Sequence, residues 1–428
     1  MRHLPASVRA LDAPLRAMIA SDALSVLSLM AGFVVLPWWV VRDGGAGDLT
    51  VWAVALSAVS LIAMPLLSPL ADLHRGRRLI LGALALCTAS SIALAVLASA
   101  GHYQFGLMLA LRAVSVIALA VFQPATNRLM TELAPAGQLG HVVSLQQGAQ
   151  SIGRLIGPAL GGAMLTLGVA PALWLHALLL VAATLLASRL PDQRREVEPA
   201  RRRWWFEFRA GLQAIWRVPL ERHWNIVNFV SWVFLFPALT MLLPLRVRSL
   251  GLPGLWLGLC EAGMSLGLLA GALGLSRWSI DRFGRYATRV VFAMLQGFAL
   301  AGVGAVRHPV ALVALFALSG LSTSALSLIG LTHRSLARPE AFRARMFAGS
   351  LTMTHLAATL GPAVAGAALL QWDVSLVYVA FGALGGLTSL AMMAVPGFRA
   401  FMRASEGEAN GWYARHHPEA FAAPAAKP

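Results

Sequence analysis

Apolar residues run along this chain in blocks of about 20, the length an α-helix needs to cross the hydrocarbon of a bilayer. Twelve such blocks can be drawn: 17–41, 50–71, 79–98, 104–122, 142–167 and 172–190, then 224–245, 255–275, 290–306, 310–331, 346–370 and 375–395. The polar interval 191–223 splits them six and six. The pattern predicts an all-α integral membrane protein in which residues 1–190 and 224–396 form two six-helix halves. Residues 191–223 join them and 397–428 form a polar tail, expected to be partly disordered.

Composition agrees. Of 428 residues, 58% are hydrophobic and 12% charged, where a soluble domain carries about 25% charge. The formal net charge of +16 therefore has to be judged by where the cations lie. With the N-terminus inside, only Arg42, Arg246, Arg248 and Arg307 fall in outer loops, and Arg112 and Arg154 fall within spans. All other cations lie on the inner side, so the positive-inside rule puts both termini in the cytoplasm. The positive charge thus reads as membrane topology, and nucleic acid is not an expected partner. Cys87 and Cys260 both sit in apolar runs, with neither disulfide nor metal-ligand spacing. Arg2, Arg9 and Arg16 precede span one without a recognisable cleavage site, so span one reads as retained.

In the linker, Arg201-Arg202-Arg203 is followed by Trp205, Phe208, Leu212 and Ile215 at helical spacing. That pattern predicts an amphipathic helix in the inner headgroup layer, a lipid-anchored linker in preference to a partner-binding site.

Span five holds a paradox. It carries Arg154, Pro158 and a stripe of Gly153, Gly157 and Gly161, with Gly162 beside it. Glycines four apart let another backbone come close, and Pro158 invites a bend. The stripe reads either as a surface for a moving partner or as a tight helix crossing. Gly157-Pro158-Ala159-Leu160-Gly161-Gly162-Ala163 returns in span eleven as Gly361-Pro362-Ala363-Val364-Ala365-Gly366-Ala367. The loop Asp72-Leu73-His74-Arg75-Gly76-Arg77-Arg78 has a counterpart in Asp281-Arg282-Phe283-Gly284-Arg285. The two halves read as copies, a transporter architecture.

On these residues the chain resembles the major facilitator superfamily. Asp281 to Arg285 is similar to its loop signature, from which the first copy departs by one extra residue and by Ser68 four positions before Asp72. Gly153 to Gly162 resembles the antiporter motif of drug:proton exporters. Phe122 to Ala125, Thr131 to Pro135 and Leu243 to Arg248 resemble the branch holding the enterobactin exporter and the macrolide efflux proteins. The resemblance implies a bacterial-type inner membrane protein, monomeric, that takes a small molecule and protons as partners. It implies that Asp72, Arg75, Gly76, Arg77, Arg78, Asp281, Arg282, Gly284 and Arg285 form conformational latches rather than cargo ligands.

Ionisable residues inside spans are expensive and so are functional candidates. Asp22, Arg112, Arg154 and Glu261 qualify: at about 1.5 Å per residue, Asp22, Arg112 and Glu261 lie roughly 9 to 12 Å from one face and Arg154 about 12 to 18 Å from either. Arg154 and Glu261, expected on facing spans, form a candidate proton switch or a static ion pair. Arg112 takes part in proton transfer, attracts an anionic cargo group, or lines the cavity solvated. Asp22 with Ser25 and Ser28 makes a polar stripe on span one, and Gln147 and Gln150 extend the Arg154 face of span five. Asn225, Asn228 and His355 are weaker candidates, and His176 reads as a hydrogen-bonded helix contact.

No phosphate-binding loop, metal cluster or catalytic triad is found in the sequence, so neither an enzyme nor a cofactor is expected. The leading expectation is proton-coupled export of an amphipathic small molecule, siderophore or drug-like. An uptake facilitator of the same fold and a non-transporting sensor or scaffold are the alternatives. A fluorescent-protein fusion after Pro428 is expected to fluoresce while an alkaline phosphatase fusion there stays inactive; the opposite pair of results would place the C-terminus outside.

Overall fold

The computed structural model describes residues 12–67, 75–135, 137–192 and 204–421, and no strand occurs among them. In the first half, the helices are α1 (Ala13–Asp43), α2 (Gly45–Leu67), α3 (Gly76–Ser99), α4 (Phe105–Leu133), α5 (Leu139–Met164) and α6 (Val169–Ala187). Next come α7 (Trp204–Arg217) in the linker, then α8 (Pro219–Thr240), α9 (Leu242–Ser249) and α10 (Leu255–Ala270). The chain closes with α11 (Ser276–Ala305), α12 (Pro309–Ala337), α13 (Glu340–Leu369), α14 (Val374–Leu390) and the short α15 (Phe398–Arg403), α16 (Glu406–Ala409) and α17 (Trp412–His416).

Local chemistry sets several of these ends. Proline stands in the first turn of α1, α8 and α12, where its missing N–H costs nothing and its fixed φ suits the helix. The Asp373 carboxylate accepts the Leu376 amide at 3.0 Å to start α14. Ser405 and Glu408 form a capping box on α16.

Eight described helices are long and apolar enough to span a membrane, nine if α8 and α9, bent by 44°, count as one. The twelve-helix fold is reached because Leu255–Ala305 holds two spans: Gly284, at φ 79°, breaks the helix between them. That conformation is open to glycine at little cost. A further break at Gly274 (φ 136°) kinks the first of the two, which continues past the expected end at 275. The other two, α5 and α13, fall short in hydropathy because they carry Gln146, Gln147, Gln150 and Arg154, or Arg343, Arg345 and His355.

Contacts divide the chain into two compact units, Met1–Pro199 with Leu243–Ala262, and Ala200–Leu242 with Gly263–Pro428. Segment 243–262 thus groups with the first unit rather than with its own half.

In the first unit α1 packs on α5 and α6, and α3 on α4 and α6. Leu84, Phe122, Leu129 and Leu180 belong to its buried core. The glycine stripe of α5 is the seam with α1. A Cβ on Gly153 would lie 3.0 Å from the Leu27 amide, one on Gly157 2.8 Å from the Leu27 carbonyl, and one on Gly161 2.7 Å from the Ala31 carbonyl. The stripe thus makes a close backbone crossing with α1.

In the second unit the same device recurs between α13 and α8, where a Cβ on Gly361 would lie 2.6 Å from the Val233 carbonyl. Helices α11 and α14 meet at Gly297, Gly382 and Gly386. The linker helix is present, but Leu212 and Ile215 of its apolar face lie against Gly349 of α13. Protein therefore covers part of the face expected to meet lipid, leaving Phe206 and Trp216 exposed. In the tail, the chain is folded up to residue 421, with Phe398, Phe401 and Tyr413 fully buried and Trp224 packed edge-on to Phe398 at 5.4 Å. Its hydrophobic residues were too few to show as a span, yet enough to close the base of this unit.

Replacing Gly161 by leucine is expected to lower the melting temperature of the purified protein, because overpacking costs roughly 1–3 kcal/mol. Gly148→Ala, where nothing lies within 4 Å, is expected to leave it unchanged. Equal melting temperatures for the two variants would contradict the seam.

Candidate functional site

The α1–α5 seam brings the intramembrane acid of span one against the polar face of span five. Asp22 is buried, and its Oδ2 accepts hydrogen bonds from Gln146 Nε2 at 2.7 Å and Gln150 Nε2 at 2.6 Å. Its Oδ1 is buried with no hydrogen-bond partner. Gln150 turns its own carbonyl oxygen to Arg154, whose Nη2 donates at 3.2 Å. One chain of polar groups therefore runs Asp22–Gln150–Arg154. The expected Gln147 is exposed, and Gln146, one position earlier, takes its place because it is on the α1 side of the helix.

Ser25 and Ser28 do not extend the Asp22 site. Ser25 bonds back to the Ser21 carbonyl at 2.8 Å. Ser28 donates to the His176 carbonyl at 2.7 Å and meets His176 Nδ1, while Ser91 meets Nε2 at 3.0 Å. His176 is a fully bonded contact among α1, α3 and α6, as its lone position in an apolar span suggested.

Gly162 and Pro158 of α5 face α10. A Cβ on Gly162 would lie 2.7 Å from Gly258 Cα and 3.1 Å from the Leu255 carbonyl, and one on Gly258 2.5 Å from the Pro158 carbonyl. Position 162 thus meets 255–258 and position 158 meets 258, an antiparallel register. Continued by one turn, it brings Arg154 level with Glu261. Both belong to the first unit, and Glu261 is half-buried. Arg112, half-buried on α4, has no hydrogen-bond or ion-pair partner among the described residues.

The loop residues stay within their own units. Arg75 pairs with Asp192 at 2.6 Å, and Arg77 donates to the Ser188 carbonyl at 2.9 Å. Arg285 donates to the Ala404 carbonyl at 3.2 Å and pairs with Glu406 at 3.5 Å. In each half the signature loop is tied to the chain that follows the half's last span. Arg78, Asp281 and Arg282 are exposed, Gly76 sits against Leu129, and Asp72 lies outside the described residues.

Sequence reasoning missed the densest charge cluster. Glu221, fully buried at the start of α8, accepts from Arg334 Nε and Nη2 at 3.0 and 2.8 Å, from Arg338, and from the Tyr413 hydroxyl at 2.7 Å. Burial and the adjacent carboxylate push the Tyr413 hydroxyl up. Trp224 lies between two guanidinium groups, Arg334 at 5.1 Å and Arg289 at 5.4 Å from its ring centre. Arg289 also donates to Asn228 at 3.1 Å. The cluster forms one wall of a cavity of about 460 Å³ inside the second unit. A sequence signal existed: Arg334 and Arg338 are one helical turn apart, but both were absorbed into the count of topology-setting cations.

Residues 19–308 match the family model of the Major Facilitator Superfamily, and the chain belongs to that superfamily. It is a multi-pass membrane transporter of this type and not an enzyme. In fold it is similar to the nucleoside transporter NupG, with a TM-score of 0.72, 14% identity, and coverage of 89% of this chain and 98% of that one. It is also similar to a variant of the peptide transporter POT in complex with alafosfalin, with a TM-score of 0.71, 14% identity and coverage of 91% and 96%. A POT family transporter in complex with a thioalcohol-conjugated peptide gives 0.69, 11% identity and coverage of 92% and 99%. No curated protein sequence matches the chain.

Glu221→Ala is expected to destabilise the protein by about 3–5 kcal/mol, because it leaves Arg334 and Arg338 buried without their counter-ion. Thermal unfolding followed by tryptophan fluorescence measures this. A melting curve like that of the wild type would show that the cluster is not buried as described.

Proposed function

We propose that this transporter is a proton-coupled exporter of an amphipathic small molecule, siderophore or drug-like, working by alternating access from a bacterial-type inner membrane with both termini cytoplasmic. The observation that carries the reading is Asp22: a buried intramembrane carboxylate with two amide donors on one oxygen and none on the other. Buried polar atoms are nearly always satisfied, and a free oxygen in such a place is where a proton would go. Through Gln150 that oxygen's charge state is linked to Arg154, one turn from the α5–α10 contact.

In this reading, protonating Asp22 weakens its hold on Gln146 and Gln150, and frees Gln150 to re-orient about Arg154. Arg154 then strengthens or releases an ion pair with Glu261 across the Gly162–Gly258 contact. Exchange of protons for cargo follows if only one of the two can occupy the site at a time. The antiporter-like pattern Gly153, Gly157, Pro158, Gly161 and Gly162 supports export. Arg112, with no partner on α4, stands as a cavity cation, and Asp72 and Asp281 with their loop arginines stand as latches.

The test uses the purified protein in liposomes with an imposed pH gradient and a pH-sensitive dye, with siderophores and drugs added in turn. Wild type is expected to show cargo-dependent proton flux, reduced at least tenfold in Asp22→Asn and in Glu261→Gln, a loss typical of removing a proton-transfer group. Full flux in both variants would overturn the coupling scheme.

A further inference from the structure

The two halves are built alike but charged differently. The Gly157 contact with the Leu27 carbonyl is repeated by Gly361 with the Val233 carbonyl. The shift along the first helix of each half is therefore 206 residues, and it carries Asp22 onto Asn228. Where the first half buries an acid, the second has a neutral amide, bonded to the guanidinium of Arg289.

That guanidinium lacks an anion. Glu221 is the only carboxylate paired with the cavity's arginines among the described residues, and Arg334 and Arg338 already share it. Arg289 has the Asn228 oxygen and the Trp224 ring, and the Nε of Arg338 is buried without a partner. Three arginines against one carboxylate leave an excess of positive charge on a cavity wall where the dielectric is low and an anion is worth more than in water.

The rest of the cavity is not built for a bare ion. Gln296, Thr323 and Ser327 offer neutral hydrogen-bonding groups, while Trp232, Leu235, Phe347 and Leu351 form an apolar wall. A volume of about 460 Å³ falls in the range of small-molecule sites.

We propose that this cavity binds an amphipathic organic acid, its acidic group on Arg289 and its apolar body on the Trp232–Phe347 side. The inference rests on the transport reading only in calling that acid a cargo.

The test is calorimetric titration of the full-length protein in phosphatidylcholine nanodiscs with two probes of one shape, naphthoate and the neutral naphthylmethanol. Naphthoate is expected to bind wild type about tenfold more tightly than naphthylmethanol, as one charge-assisted contact implies. Arg289→Gln is expected to remove that preference while naphthylmethanol binding stays, and Arg289→Lys to restore part of it. Equal binding of the two probes to wild type, which needs no variant to fold, would overturn the proposal. So would an unchanged preference in Arg289→Gln. Displacement of naphthoate by phosphatidylglycerol added to the nanodisc would also overturn it, by making the occupant a lipid headgroup. No gradient enters the measurement, so a protein that binds naphthoate but moves no protons sinks the coupling scheme alone.

Discussion

The close crossing of α1 and α5 is the constraint on which the first unit depends. Gly153, Gly157 and Gly161 have no side chains to hold the helices apart, so backbone meets backbone from Ala23 to Ala31. Without a hydrophobic driving force between helices in lipid, such close packing is a principal source of association. It also fixes the chemistry. At this separation the amide side chains of Gln146 and Gln150 both reach Asp22. The adjacent face of the same helix, with Pro158 and Gly162, meets α10. One helix thus carries a fixed seam on one side and the contact nearest Arg154 and Glu261 on the other.

The second unit repeats the packing and changes the electrostatics. Gly361 closes α13 on α8 as Gly157 closes α5 on α1, yet the polar groups around it are arginines, a tryptophan and one fully bonded glutamate. Glu221 holds three elements together: α8, the end of α12, and the tail through Tyr413. A buried carboxylate with five hydrogen bonds from charged or polar donors is costly to desolvate and costly to disturb, and through Tyr413 it ties the tail to α8 and α12. The glycine contacts are alike in the two halves because backbone contact tolerates little else, whereas the side chains beyond them differ: Asp22 in one corresponds to Asn228, bonded to Arg289, in the other.

Much of this was legible in the chain. Twelve apolar blocks and the repeat of Gly157-Pro158 at Gly361-Pro362 lead to the fold, because span length and close packing are written in local composition. The intramembrane residues Asp22 and Arg154 stood out by cost alone. What was not legible depended on side-chain direction and long-range partners. Gln146 and Gln147 are neighbours in sequence and differ only in which way the helix turns them. Glu221 lay outside the apolar blocks, and its arginine and tyrosine partners lie more than 100 residues away, so no local pattern marked it. Leu212 and Ile215 gave the right amphipathic helix but not what covers it, since periodicity is blind to whether lipid or α13 supplies the apolar surface.

Proton coupling at this site requires Asp22 to take up and release a proton inside the membrane while bonded to Gln146 and Gln150. Infrared difference spectroscopy of the purified protein across a pH step reads this directly. A carbonyl band of a protonated, buried carboxyl group is expected to grow on acidification, to be absent from Asp22→Asn, and to shift in Gln150→Ala. A band that persists unchanged in Asp22→Asn, or no protonated-carboxyl band in wild type over the pH range of transport, would contradict it.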